Sequence, residues 1–256
     1  MTDELLFEAA DGIARITFNR PEQRNALTWA MYDGLVEAIR RVDADSGMRA
    51  LILTGAGGKA FAAGTDIAQF RAFDGPADAI GYEERIDAVL NVLEACRVPT
   101  IAAIQGACIG GGAAIAACCD LRIAGAGVRF GFPIARTLGN CLSMANLARL
   151  SALIGAARVK ELIFTARLIE AEEALRIGLV GEVVAAEALA ARADELARTI
   201  AGHAPLTLRS TKMALHKLQG RVAEDEALIL MCYQSADFRE GMEAFLAKRA
   251  PQFQGA

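Results

Sequence analysis

The chain has 256 residues, 54% of them hydrophobic and 23% charged, so a sizeable core can form and wholesale disorder is excluded. Lys and Arg total 27 against 31 Asp and Glu, a net charge of −4, which argues against a general binder of nucleic acid or anionic membrane. No run approaches the ~20 apolar residues of a membrane span, and the acidic start Met1-Thr2-Asp3-Glu4 is unlike the basic start of a secretory signal. A cytoplasmic protein built as one large α/β unit is expected.

In chain order, Ile13–Phe18 alternates as a half-exposed strand does, and a turn at Asp11-Gly12 pairs it with Leu5–Glu8. Thr28 is placed to cap a helix running to about Asp43. Arg49–Thr54 reads as a buried strand. A helix over 77–97 carries Ile86, Val89, Leu90, Leu93 and Cys96 on one stripe. Pro99–Ile104 reads as a second buried strand, followed by shorter strands at Leu121–Ala124 and Val128–Phe130. This alternation predicts parallel pairing with helical crossovers. Beyond residue 145 the strand signal is confined to Val180–Val184, and helices are expected at about 187–201, 206–219, 223–236 and 238–249. The chain thus divides into an α/β core over 1–200 and a helical region over 201–256 that packs on the core or on a second subunit.

Cysteines stand at 96, 108, 118, 119, 141 and 232, with no C-x-x-C pair and no His-Cys cluster; neither a zinc site nor a redox dithiol is expected. The two histidines, His203 and His216, lie in the last quarter, away from every other chemistry-bearing segment.

Two glycine clusters follow strands. Gly55-Ala56-Gly57-Gly58-Lys59-Ala60 matches G-x-G-x-x-G/A, but a second small-residue turn, Ala62-Ala63-Gly64-Thr65-Asp66, follows where a dinucleotide site needs a helix. A phosphate-binding Walker loop fails too, because Ala60 follows Lys59 and Leu53 stands where the first glycine belongs. The second cluster, Gly110-Gly111-Gly112, runs into the Ala-rich stretch from Ala113. Bare backbone N–H groups at a helix start, with the helix dipole behind them, suit an oxyanion; close packing that only glycine permits is the other reading of the same triplet.

Asn19-Arg20-Pro21-Glu22-Gln23-Arg24-Asn25-Ala26-Leu27, Thr54-Gly55, Lys59–Ile67, Ile101–Gly112 and Glu172-Glu173-Ala174 through Gly178-Leu179-Val180 together resemble the crotonase (enoyl-CoA hydratase/isomerase) superfamily, in order and spacing over nearly the whole chain. The resemblance implies a spiral of ββα units, a C-terminal helical region that builds a trimer or a dimer of trimers, and an acyl-CoA substrate with no other tightly bound cofactor. It implies that the N–H groups of Thr65 and Gly111 form an oxyanion hole for the thioester, that Ala63 and Ile67 contact the adenine end of coenzyme A through their backbone, and that Arg24 and Lys212 lie near the CoA phosphates.

The chain departs from that pattern at the chemistry. Hydratases of the superfamily use two glutamates to orient and deprotonate water, and the matching positions here are Ala114 and Ile134. Neither accepts a proton, so two-glutamate hydration is not expected. Two other positions come into view by resemblance to the 4-chlorobenzoyl-CoA dehalogenases. Cys141 lies at or beside their nucleophile, in a segment expected to open a helix and so to favour a thiolate. Asp87 stands twelve residues before Pro99, at the spacing of their functional histidine. Three functions follow: an enolate or isomerase reaction through the oxyanion hole, Cys141-dependent thioester hydrolysis or transfer, or a non-catalytic acyl-CoA-binding subunit.

Overall fold

The structure, a computed structural model, describes residues 3–72, 74, 76–219, 235–237, 240, 244, 247, 249 and 251–256. It opens on the expected hairpin. β1 (Leu5–Ala10) and β2 (Ile13–Phe18) pair antiparallel, Leu5 opposite Phe18 and Ala10 opposite Ile13. Asp11 and Gly12 both have positive φ, 51° and 75°, which lets a two-residue turn follow the twist of the strands. From β2 onward the pairing is parallel, through β3 (Ala50–Gly55), β5 (Thr100–Ile104), β7 (Leu121–Gly125) and β10 (Glu182–Val184), giving the order β1-β2-β3-β5-β7-β10.

A second sheet is built from strands too short to show a sequence period. β4 (Ala60–Ala62), β6 (Ala107–Ile109), β8 (Arg129–Gly131) and β9 (Ile169–Glu170) lie in that order. Three times the chain passes from a strand of the first sheet to one of the second and then into a helix: β3 and β4 to α2 (Pro76–Glu94), β5 and β6 to α3 (Gly111–Cys118), β7 and β8 to α4 (Ile134–Thr137). These are the ββα units that the resemblance implies.

The first helix, α1 (Trp29–Ala44), begins where Thr28 accepts from the Met31 N–H at 3.2 Å, satisfying one of the orphan donors of a helix start. α2 buries Ile86, Val89, Leu90 and Leu93 as predicted, but ends at Glu94, so Cys96 is buried in the turn leading to Pro99. Each such side chain removed from water is worth ~1.5–3 kcal/mol. α5 (Met144–Ile154) follows the segment expected to open a helix, while no helix is expected from sequence at α6 (Ala156–Thr165) and α7 (Ala171–Arg176); Gly155, at φ 83°, splits the first two.

Both faces of the first sheet are covered. The main core lies between it, α1, α2 and the second sheet. On the other face Ala50, Ile52, Ile101, Ala103 and Ile123 meet Leu189, Ala193, Ala197 and Ile200 of α8 (Leu189–Ala201). α9 (Pro205–Gln219) follows, matching the segment expected at 206–219, while the helices expected at 223–236 and 238–249 fall mostly outside the described residues. No described helix is long and apolar enough to cross a membrane.

Candidate active site

The site starts with a turn that moulds a loop. After the single 3₁₀ turn Pro21–Gln23, Arg24 and Asn25 both adopt left-handed backbone, φ 51° and 57°, a conformation asparagine tolerates better than most residues. The Asn25 side chain is fully buried. Its carbonyl oxygen accepts from the Arg20 N–H (2.9 Å), and its amide donates to the Ala56 and Ala60 carbonyls (3.0 and 2.8 Å). The turn thereby grips the chain before β4 and at its first residue. The Arg24 carbonyl accepts from the Ala63 N–H at 3.1 Å, the Leu27 N–H donates to the Gly64 carbonyl at 2.8 Å, and the Asp66 N–H donates to the Leu27 carbonyl at 2.9 Å. In this parallel bridge the bonds to Leu27 come from the residues flanking Thr65. The Thr65 N–H therefore points to the opposite side of its strand.

The glycine triplet supplies the facing element. Gly110, at φ 53° and ψ −118°, is the N-cap of α3 and donates to the Gly131 carbonyl at 3.0 Å. Gly111 is the first helical residue, so its N–H has no partner within the helix. A Cβ on Gly111 would lie 2.3 Å from the Tyr32 hydroxyl, and one on Gly112 would lie 2.2 Å from the Ala62 carbonyl oxygen. The close-packing reading of the triplet holds, and the same packing brings a helix start against the Thr65 loop. The Thr65 hydroxyl sits between two phenols, 2.9 Å from Tyr32 of α1 and 2.9 Å from Tyr82 of α2. Burial raises the pKa of both tyrosines, so the three hydroxyls form a neutral chain that pins the loop.

Thr65 and Gly111 line one cavity of ≈ 210 Å³, walled mainly by apolar side chains such as Phe70, Ile86, Ile109 and Phe132. A second cavity of ≈ 680 Å³ shares Phe70, Tyr82, Glu83, Leu138, Asn140 and Cys141 with the first. An apolar pocket with a few convergent polar groups is the ordinary form of a small-molecule site.

The family model for enoyl-CoA hydratase/isomerase matches residues 8–256. The chain belongs to that family. It is 35% identical over 252 residues to a short-chain-enoyl-CoA hydratase of Clostridium acetobutylicum, covering 96% of each protein, and 34% identical over 258 residues to a crotonyl-CoA hydratase of Syntrophomonas wolfei, covering 98% of each. Its fold is similar to that of an enoyl-CoA hydratase/carnithine racemase from Magnetospirillum magneticum, with a TM-score of 0.94 and 35% identity, covering 100% of this chain and 97% of that one.

Against the family pattern, the residues named from sequence divide into those the fold brings together and those it separates. Ala63 and Ile67 line the first cavity with Thr65 and Gly111. So do Ala114 and Ile134, both buried, so the two positions that the resemblance matches to the hydratase glutamates present hydrocarbon to the cavity. Arg24 is exposed on its turn. The Lys212 amine donates to Asp120 (2.7 Å) and to the Val98 carbonyl (3.3 Å), and it lines neither cavity. Asp120 also accepts from the Thr100 N–H and hydroxyl, so this lysine ties α9 to the start of β5.

Cys141 lines both cavities and is exposed, yet it does not open a helix. α5 starts three residues later, and its N-cap Ser143 accepts from the Asn146 N–H at 3.2 Å. Asp87 lines the second cavity and is held rather than solvated: Ser143 Oγ donates to it at 2.9 Å, Asn146 Nδ2 at 3.3 Å, and Arg149 lies 3.6 Å away. The sequence reading passes over Glu83, one helical turn before Asp87, which lines both cavities. Burial and then the Asp87 charge raise its pKa, against a hydrogen bond from the Ser143 backbone that lowers it.

Proposed function

We propose that this protein is an acyl-CoA enzyme that holds the thioester carbonyl between the N–H groups of Thr65 and Gly111 and stabilises an enolate, with double-bond isomerisation as the leading reaction and two-glutamate hydration excluded. The observation that supports this reading is that Thr65 and Gly111 line one cavity with Ala114 and Ile134, which bring no carboxylate to it. As the α-proton leaves, negative charge grows on the thioester oxygen. Donors already fixed in place stabilise that charge without reorganising, each worth about 2.7–4 kcal/mol. Thr65 is held from two sides by phenols and Gly111 by its steric confinement, which is the preorganisation such a site requires. The names of the hydratase relatives support a short-chain enoyl or acyl group. The lining of the same cavity by Ala63 and Ile67 supports backbone contact with the adenine end of coenzyme A, and exposed Arg24 is left as the basic residue for the phosphates. Coenzyme A enters as part of the substrate.

A crystal structure with butyryl-CoA tests this. The thioester oxygen is expected 2.7–3.1 Å from both N–H groups, the range for oxyanion donors; a thioester bound elsewhere overturns the reading.

The same reading includes a homotrimer or a dimer of trimers built through the region after residue 201. Leu215 and Leu218 of α9 are 57% and 64% exposed in the single chain, as apolar side chains awaiting a neighbour would be. Sedimentation at micromolar concentration is expected to give three or six chains, and a stable monomer would contradict it.

A further inference from the structure

We propose that Glu83 is the general acid–base of this site, taking a proton from the acyl α-carbon and returning it to the resulting enolate. The proposal rests on the acyl-CoA reading above and supplies the group that reading lacks.

Among the described residues Glu83 is the one Asp or Glu lining the first cavity. α2 presents Tyr82, Glu83 and Ile86 to that cavity, and the Tyr82 hydroxyl lies 2.9 Å from Thr65 Oγ1. The residue adjacent to the carboxylate thus touches the residue that carries one oxyanion donor. Glu83 is half-buried, and no ion pair joins it to a cation among the described residues. Arg149, the nearest guanidinium on α5, is engaged with Glu94 at 3.0 Å and Asp87 at 3.6 Å. A carboxylate set against apolar walls with a second carboxylate one turn away carries a folding cost that needs another reason.

The charged and titratable groups around it set how it works. Asp87 and Tyr82 face it from α2, Tyr32 from α1, Cys141 from the loop before α5, and the Ser143 backbone donates to it. Burial and Asp87 raise its pKa above the ordinary carboxylate value, towards the range where a group both accepts and gives back a proton at neutral pH. In the reaction, a carboxylate oxygen takes the C2 proton, the C–H electron pair moves into the C1–C2 bond, and the carbonyl pair moves onto the thioester oxygen. The Glu83 carboxylic acid then delivers the proton to C2, or to C4 of a 3-enoyl chain. No co-reactant is consumed.

Butyryl-CoA and trans-3-hexenoyl-CoA in D₂O serve as probes, with binding measured by calorimetry and exchange or isomerisation by NMR. Wild type is expected to bind both and to exchange or shift a proton. Glu83→Gln is expected to bind within about twofold and to lose about 10²–10⁴-fold in proton transfer. Ionising a carboxylate whose folded pKa is raised costs stability as pH rises through that pKa, so Glu83→Gln should melt at or above wild type near neutrality, which excludes misfolding as the cause. Asp87→Asn removes a charge that raises the Glu83 pKa, so the acid limb of the rate profile should move to lower pH. Undiminished exchange in Glu83→Gln overturns the proposal, and so does a wild type that binds both thioesters without moving a proton. Failure of wild type to bind either thioester instead overturns the acyl-CoA reading, and the assignment of Glu83 falls with it.

Discussion

Asn25→Ala is expected to lower the unfolding free energy by about 3–5 kcal/mol, read as a drop in the urea midpoint at unchanged slope. The substitution removes three hydrogen bonds from a fully buried side chain and leaves the Arg20 N–H and the Ala56 and Ala60 carbonyls without those partners. An unsatisfied buried group costs roughly 1–3 kcal/mol, and alanine at φ 57° adds a left-handed penalty of about 1–2 kcal/mol. Asn25→Gly should recover about that last part, since glycine adopts the conformation freely. Asn25→Asp keeps the acceptor but turns a carboxylate towards two carbonyls, so it should be no better than alanine. The damage should reach function, because the turn that Asn25 closes also holds Ala63 through Arg24 and aligns Leu27 with Thr65. Acyl-CoA affinity is therefore expected to fall with stability. A loss below about 1 kcal/mol in Asn25→Ala would mean that the grip on β4 comes from elsewhere.

Much of this architecture can be read from local chemistry. The Asp11-Gly12 turn, the Thr28 cap, the buried stripe of α2 and the runs that became β3 and β5 each satisfy a rule acting within a few residues. The second sheet escapes such reading because Ala60–Ala62 and Ala107–Ile109 are too short and too small to carry a period; they become strands only when the spiral brings them side by side. The tie of Lys212 to Asp120, 92 positions away, is likewise beyond the reach of local rules. Glu83 and Asp87 look alike on a helical wheel, as charges flanking an apolar stripe. What separates them is the crossing of the 138–143 segment over α2, which puts Glu83 into both cavities and leaves Asp87 bonded to Ser143 and Asn146. The resemblance carries the backbone architecture well, since that geometry depends on glycines and turns. It carries side-chain chemistry less well, because Ala114 and Ile134 bring no carboxylate where the resemblance implies one, while the fold is unchanged.

Those two positions give the second large effect. Wild type is expected to hydrate crotonyl-CoA weakly, and the double variant Ala114→Glu, Ile134→Glu to hydrate it faster by at least about tenfold, within the 10²–10⁴ that positioned acid–base groups contribute. Water must be oriented and deprotonated as it attacks the β-carbon while the α-carbon receives a proton, and alanine and isoleucine offer neither a lone pair nor a proton. Both positions line the cavity that Thr65 and Gly111 also line, so on the proposed acyl-CoA reading the new carboxylates would flank the bound thioester. Full restoration is not expected. Ala114 and Ile134 are 5% and 7% exposed, and a buried glutamate without supporting hydrogen bonds is costly and titrates high; the double variant should melt below wild type. The assay is loss of the enoyl-thioester absorbance in both proteins under the same conditions. Wild-type turnover at ordinary enzyme rates, on the order of 10 s⁻¹, would show that a group already in the cavity activates water. Adding Glu83→Gln then separates the cases: if Glu83 serves only the enolate, the triple variant keeps the hydration gained from positions 114 and 134 while its proton exchange with butyryl-CoA stays low, whereas a water-activating Glu83 would take both activities down together.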